Sequence, residues 1–230
     1  MPAAIALVLG AYILGAAPHL SLLARLSRLR LAGDFHESLW QRGGRAIGFI
    51  GVLGEFAKGI IPVLVGRWLG FEVTVVAAAG LAAVIGQMWP VFSRFDGEKG
   101  NSIAIAMAFA LAYRPALVAI IPIIIALLIR TVPRLLAKSG APGERALIGG
   151  TYSQSLPLGI ALAFLLLPLA GWRLGEPPEI NWGMAILFLL IMLRRLTAGL
   201  RADLATGENI GGILTRRLLY DRATAPWRRK

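Results

Sequence analysis

The chain has 230 residues, 57% of them hydrophobic and 16% charged, with a mean hydropathy of +0.71, a formal net charge of +12 and no cysteine. Soluble globular domains carry about 45–50% apolar and about 25% charged residues, so this composition excludes a single water-soluble core and points to a polytopic membrane protein. The missing cysteines exclude disulfides, thiolate metal sites and cysteine catalysis, and the positive charge reports sidedness and contact with lipid headgroups rather than a nucleic-acid partner.

The apolar runs are continuous rather than alternating, and several approach the roughly 20 residues that cross about 30 Å of hydrocarbon. The expected fold is therefore all-α, a polytopic integral membrane helical bundle of about seven transmembrane helices, and not a β-barrel. A first helix is expected over residues 3–23. It has no basic segment before it, and Arg25, Arg28 and Arg30 follow it, so it reads as a retained span and not a cleaved signal. A polar loop at 33–45 leads to a second helix over 46–64, which carries Glu55 and Lys58 three apart on one face. The third helix is expected over 73–92 and ends in the stretch Gly97-Glu98-Lys99-Gly100-Asn101-Ser102.

Helices four and five, at 102–112 and 116–129, read as a short hairpin turned by Tyr113-Arg114-Pro115, each marginal as a full span, with the fourth beginning inside the membrane. A second polar stretch at 130–155 holds Arg134, Lys138, Glu144 and Arg145. Helices six and seven follow at 156–172 and 182–193. Residues 1–199 thus form a membrane-embedded domain, and 200–230 a basic tail in which 209–220 is a candidate helix on the membrane surface. Twenty of the 24 Lys and Arg fall in the loops after helices one, three and five or in the tail, whereas the other loops hold only Arg67, Arg114 and Arg173. That bias puts the N-terminus outside and the C-terminus in the cytoplasm. The loops around Gly97, at 33–45 and at 130–155 then share the cytoplasmic face.

The Gly97–Ser102 stretch suits a phosphate. Gly97 and Gly100 free the backbone to curl, Lys99 adds charge, and Asn101 and Ser102 open a helix whose N-terminus favours an anion. An ordinary cytoplasmic turn is the plain alternative, and the GxxxxGK[ST] spacing of a nucleotide loop is absent. Arg42 and Arg45 offer forked donors for a phosphate or a carboxylate, or simply orient the chain. Glu55 and Lys58 are ionisable residues within a span, a functional signal by default, with a structural ion pair as the alternative. Tyr152, Ser153, Gln154 and Ser155 bring hydroxyls and an amide to the start of helix six, where such residues also serve as caps. His36 beside Glu37 is a possible base, and His19 has no assigned role.

The stretch Gly86-Gln87-Met88-Trp89-Pro90-Val91-Phe92-Ser93-Arg94-Phe95-Asp96-Gly97-Glu98-Lys99-Gly100-Asn101-Ser102 resembles the G-H-x-x-P-x-F-x-x-F-x-G-G-K-G-V-A-T signature of the PlsY family, the integral-membrane glycerol-3-phosphate acyltransferases that use acyl phosphate. Tyr12 to Pro18 is similar to the family's Y-L-x-G-S-x-P, Glu55-Phe56-Ala57-Lys58-Gly59 to its D-x-x-K-G, and Arg45 to Gly48 to the end of its first motif. Arg194 to Gly199 is similar to the end of its N-I-K-R-L-L-x-G. The departures are Phe35, Glu37 and Gln41 in the first motif, Gln87 for histidine, Glu98 for glycine, Ile103 for threonine and Met192 for asparagine.

The resemblance implies acyl transfer from acyl phosphate to the 1-hydroxyl of glycerol 3-phosphate, giving lysophosphatidic acid in the inner (cytoplasmic) membrane, with no cofactor and no metal. Membrane lipids are the surroundings, and acyl phosphate and glycerol 3-phosphate the partners. It implies catalytic roles for Lys99, Arg45, Ser153 and Ser155, and substrate or phosphate binding by Gly97, Gly100, Asn101, Ser102, Arg42, Lys58 and Glu55. A relative that binds phospholipid precursors without turnover, one with another acceptor, and a small transporter are the rival readings. The chain shows no internal repeat of the kind many transporters carry.

Overall fold

The computed structural model describes residues 1–29, 35–136 and 155–221. Its helices are α1 (Pro2–Ala16), α2 (His19–Leu26), α3 (Phe35–Trp68), α4 (Val73–Met88), α5 (Asn101–Leu111), α6 (Tyr113–Leu136), α7 (Ser155–Arg173), α8 (Pro178–Thr197), α9 (Leu200–Leu204) and α10 (Ile210–Tyr220), with one 3-10 turn at Val91–Ser93. Among the described residues five helices are long and apolar enough to cross a membrane, and six when α1 and α2, bent by 43°, count as one span. The apolar helix α5, at 11 residues, is shorter. Its axis covers about 16 Å, roughly half the hydrocarbon thickness.

Several boundaries differ from those the sequence predicts, each for a local reason. The first apolar run is not one helix: Pro18 lacks an N–H and disfavours a helical residue before it, so the run breaks at Ala17. The expected polar loop at 33–45 is helical from Phe35 onward, and the break falls at Gly44, whose φ of 77° no helix accommodates. The third helix stops at Met88, ahead of Pro90. Tyr113-Arg114-Pro115 is not the turn of the hairpin. Pro115 lies in the first turn of α6, where its missing N–H costs nothing, and α6 is a full span of 24 residues. In the tail α10 forms as predicted, its start capped by the Asn209 side chain, which accepts the Gly211 N–H at 2.9 Å.

The bundle is organised around α4, 67% of whose span is buried; α1, α3, α5 and α8 all pack against it. Small residues make this possible. A Cβ at Gly86 would collide with the backbone of Tyr12, and one at Gly15 with the backbone of Ala83, so α1 and α4 meet main chain to main chain. The outer faces are apolar and exposed, as at Phe49, Leu53, Leu117, Ile121 and Leu128. At the end where α3 and α7 finish and α8 begins, Trp68, Trp172 and Trp182 stand exposed, the arrangement of an interfacial aromatic belt.

At the opposite end the break in the first run is used. The Lys58 ammonium, on α3, donates to Gly15 O at 3.0 Å, to Ala17 O, and to Gln87 Oε1 on α4 at 3.0 Å. Gln87 Nε2 in turn donates to Glu55 Oε1 at 2.8 Å. Glu55, Lys58 and Gln87 are all buried. The residues expected to pair directly are thus joined through an amide, and the carbonyl groups left over at the helix break have a donor. Replacing Lys58 by Met should lower stability by about 3–5 kcal/mol, the usual cost of stripping a buried charge network of one member. The check is a fall in the thermal unfolding midpoint of the detergent-solubilised chain, and an unchanged midpoint would count against it.

Candidate functional site

Pro90 sends the chain out of α4 and into a turn that closes back on the helix it has just left. Gly97 N–H donates to Met88 O at 3.2 Å and Glu98 N–H to Gln87 O at 3.1 Å. A Cβ at Gly97 would overlap that same Gln87 carbonyl, so only glycine permits the return. Gly100, with φ at 77° in the left-handed region, then starts α5. The N–H groups at 97 and 98 are therefore engaged by the backbone, contrary to the expectation that the whole loop curls around an anion. The donors that remain include those of Asn101, Ser102 and Ile103, the first three of α5, which have no carbonyl inside the helix. Lys99 stands beside them, its side chain 48% exposed. The carboxamide Oδ1 of Asn101 is buried without a partner among the described residues.

Arg194, buried near the end of α8, holds this turn from the other side. Its Nη2 donates to Gly97 O at 2.6 Å and to Asp96 Oδ1 at 3.4 Å, its Nε donates to Glu98 O at 3.3 Å, and the guanidinium lies 5.7 Å from the centre of the Trp89 ring. Tyr12 on α1 donates its hydroxyl to Trp89 O at 2.8 Å. The signature turn is thus fastened to α1, α4 and α8 together. Gln87 is the joint between turn and bundle, because its carbonyl receives Glu98 N–H while its amide sits between Lys58 and Glu55.

A small cleft, open to solvent, lies between the α1–α2 break and this turn. Residues Gly15 to Ser21 line one wall, and Gln87, Pro90, Ser93, Asp96, Gly97 and Glu98 the other. Glu98 lines that cleft, whereas Lys99 leaves it and donates to Asp221 at the end of α10. His19 Nε2 donates to Gly51 O at 3.1 Å, which ties α2 to α3.

The other expected site residues fall as follows. Lys58 has three protons and three acceptors, so it offers no donor to a phosphate in this arrangement. Arg42 and Arg45 are exposed near the start of α3, and because Gly44 interrupts the helix between them they do not share a face in helical register. Ser155, the first residue of α7, donates to Ala126 O on α6 at 3.0 Å. Ser153, with Tyr152 and Gln154, lies outside the described residues, as do Lys138, Glu144 and Arg145; the side chains of Phe35, His36, Glu37, Gln41 and Arg134 are not described either. Three residues that matter here received no site role from the sequence: Gln87 and Arg194, which lie in stretches quoted for the resemblance, and Asp221, which lies in none. Gln87 carried a readable signal as a polar residue inside an apolar run, while Arg194 had been counted as a topology charge.

The pattern of the family described as Glycerol-3-phosphate acyltransferase matches residues 5–201. The chain belongs to that family. It is 31% identical over 197 residues to a glycerol-3-phosphate acyltransferase of Pseudomonas entomophila (strain L48), covering 82% of this chain and 89% of the relative. Against glycerol-3-phosphate acyltransferase 4 of Dehalococcoides mccartyi (strain CBDB1) it is 28% identical over 209 residues, covering 86% and 80%. Two crystal structures of PlsY, an integral membrane glycerol 3-phosphate acyltransferase, share the fold at 24% identity. Its lysophosphatidic acid form gives a TM-score of 0.66 over 90% of this chain and 94% of that one, and its glycerol 3-phosphate form 0.65 over 89% and 93%.

Because Arg194 reaches two carbonyl groups and a carboxylate at once, its loss should misplace the turn that carries Lys99. Arg194→Ala should reduce acyltransferase turnover by about 100-fold, the order expected when a positioning contact is lost. Arg194→Lys, a point charge without the fork, should recover only part of it, and equal rates for the two variants would contradict the assignment.

Proposed function

We propose that this multi-span membrane protein of the glycerol-3-phosphate acyltransferase family moves an acyl group from acyl phosphate to the 1-hydroxyl of glycerol 3-phosphate, giving lysophosphatidic acid for phospholipid synthesis. One observation carries the site. The turn before α5 is fastened by Arg194, its Gly97 and Glu98 line a polar cleft in an otherwise apolar bundle, and the Lys99 ammonium and the first N–H groups of α5 follow directly after them in the chain. That is a place for a phosphate. The PlsY structures in glycerol 3-phosphate and lysophosphatidic acid forms support the choice of acceptor and product.

The chemistry asks for little beyond placement. The acceptor hydroxyl oxygen attacks the acyl carbonyl carbon, the bond from that carbon to the phosphate oxygen breaks, and the departing phosphate takes up the hydroxyl proton. Acyl phosphate is already activated, so alignment and stabilisation of the charge that develops on phosphate supply the rate enhancement. In this reading Lys99, with the N–H groups of Asn101 and Ser102, receives one phosphate, and Gly97 and Gly100 shape the backbone that presents them. Arg45, with Arg42 near it, is a second cation, Ser153 and Ser155 contribute hydroxyls, and Glu55 and Lys58 support the cleft through Gln87. Exposed apolar helix faces give the acyl chain a route from lipid.

The same reading places the chain in the cytoplasmic membrane with its N-terminus outside and both the cleft and the 200–230 tail in the cytoplasm. The chain lacks cysteine, so single replacements test this directly. Ala205→Cys in intact cells should resist a membrane-impermeant thiol reagent that labels Pro177→Cys, and the reverse pattern would invert the topology. Purified chain should release phosphate from palmitoyl phosphate only when glycerol 3-phosphate is present, and Lys99→Ala should reduce that rate by at least about 100-fold, as for loss of a group that stabilises developing charge. Binding of glycerol 3-phosphate without turnover would favour the non-catalytic reading instead.

A further inference from the structure

The family match ends at residue 201, yet the chain beyond it folds onto the bundle, with α10 packed on α7 and α8. Arg217 of α10, 2% exposed, donates from Nε to Asp203 Oδ2 at 2.7 Å and from Nη1 to Ala198 O at 2.5 Å, and Asp203 is 0% exposed. Arg195 of α8 donates to Leu218 O at 3.1 Å and to Pro157 O on α7, also at 3.1 Å. A guanidinium and a carboxylate withdrawn from solvent are costly to separate, so the end of α10 is held in one place.

That end is Asp221. Its φ of 52° closes the helix in a left-handed turn, with its N–H on Arg217 O at 3.1 Å. The turn brings two oxygens of one residue to the signature lysine, because Lys99 Nζ donates to Asp221 Oδ2 at 2.9 Å and to Asp221 O at 3.1 Å. The Asp221 side chain is only 12% exposed. An ammonium has three protons. Asp221 takes two, and the third has no partner among the described residues.

We propose that Asp221 is a positioning residue for the acyl transfer, in that the C-terminal unit beyond the family match reaches back and holds the Lys99 ammonium by two protons so that the third is aimed at a substrate phosphate. This rests on the assignment of Lys99 to phosphate. A lysine on a four-carbon stem loses rotamer freedom when it binds, and a lysine already held by Asp221 has lost it before substrate arrives. The acceptors come from the end of a helix anchored by the buried Arg217–Asp203 pair, which fixes where they stand.

The test uses full-length protein. Asp221→Gly removes the carboxylate but suits the left-handed turn, and Asp221→Asn keeps an oxygen acceptor and tolerates the same backbone. With palmitoyl phosphate and glycerol 3-phosphate, Asp221→Gly should lose about tenfold in kcat without a fall in either KM, a modest share of what misalignment can cost. Asp221→Asn should stay within about threefold of wild type by the same argument. Mass spectrometry should show Lys99 reacting faster with an amine reagent in Asp221→Gly. Should the glycine chain fail to fold, Asp221→Ser, whose hydroxyl is too short to replace the carboxylate, takes its place. A lower KM with preserved kcat would mean the carboxylate competes with phosphate, and would overturn the proposal. So would full activity with unchanged Lys99 reactivity. A wild-type chain that does not turn over removes the proposed reaction itself, and the positioning role with it, which is a different result from an active wild type indifferent to Asp221.

Discussion

A lysine ammonium inside a membrane bundle is tolerated when its protons have acceptors, and Lys58 has three. Two of them lie at the break that Pro18 makes in the first apolar run, the carbonyl of Gly15 and that of Ala17, which also takes the His19 N–H at 2.9 Å. The third is the amide oxygen of Gln87, whose nitrogen goes on to Glu55. Charge, helix break and amide therefore satisfy one another across α1, α3 and α4. Removing any one leaves a polar group of this network without its partner. The cleft opens beside this network, and one of its walls is the broken stretch itself.

The same economy governs the signature turn. Gln87 contributes its side chain to the buried network and its carbonyl to Glu98 N–H, so the turn inherits its position from the bundle core. Arg194 fastens it from α8, and the absence of a side chain at Gly97 lets two backbones touch. The outcome is a division of labour along six residues. The N–H groups of Gly97 and Glu98 hold the turn, whereas Lys99 to Ser102 are the residues to which the proposed function gives the phosphate. Glu98, which stands where the family has glycine, faces the cleft, and the lysine next to it leads to α10. A carboxylate and an ammonium adjacent in sequence are thereby directed to different surroundings.

The class of fold was legible because hydropathy over a span is a local, additive property, and long apolar runs announce themselves whatever they pack against; the number of spans was not, since five or six of the described helices are long enough where about seven were expected. Boundaries were less so. The helical start of α3 at Phe35 runs through residues whose composition reads as loop, and the length of α6 was hidden by a proline that a helix accepts in its first turn. In the site, Gly97, Lys99 and Gly100 stood out as candidates from spacing and resemblance, with an ordinary turn as the alternative reading of the same residues. Lys58 and Glu55 were visible as intramembrane charges, but nothing in their i, i+3 spacing says that an amide 29 residues from Lys58 stands between them.

What the amino-acid sequence determined by itself, then, is a membrane-embedded helical bundle and a glycine-flanked lysine just before a short apolar helix. Those features depend on composition and on neighbours a few positions apart. Only the tertiary structure decided which N–H groups of the signature turn are already taken, that Lys58 is saturated, and that Arg194 and Asp221 converge on the stretch from 96 to 99 from α8 and from the end of α10. The physical reason is range. Hydrogen bonds between residues separated by 97 and 122 positions form because helices pack, and the α1–α4 packing is set by glycines, Gly15 and Gly86, whose spacing does not say which distant residues they bring together.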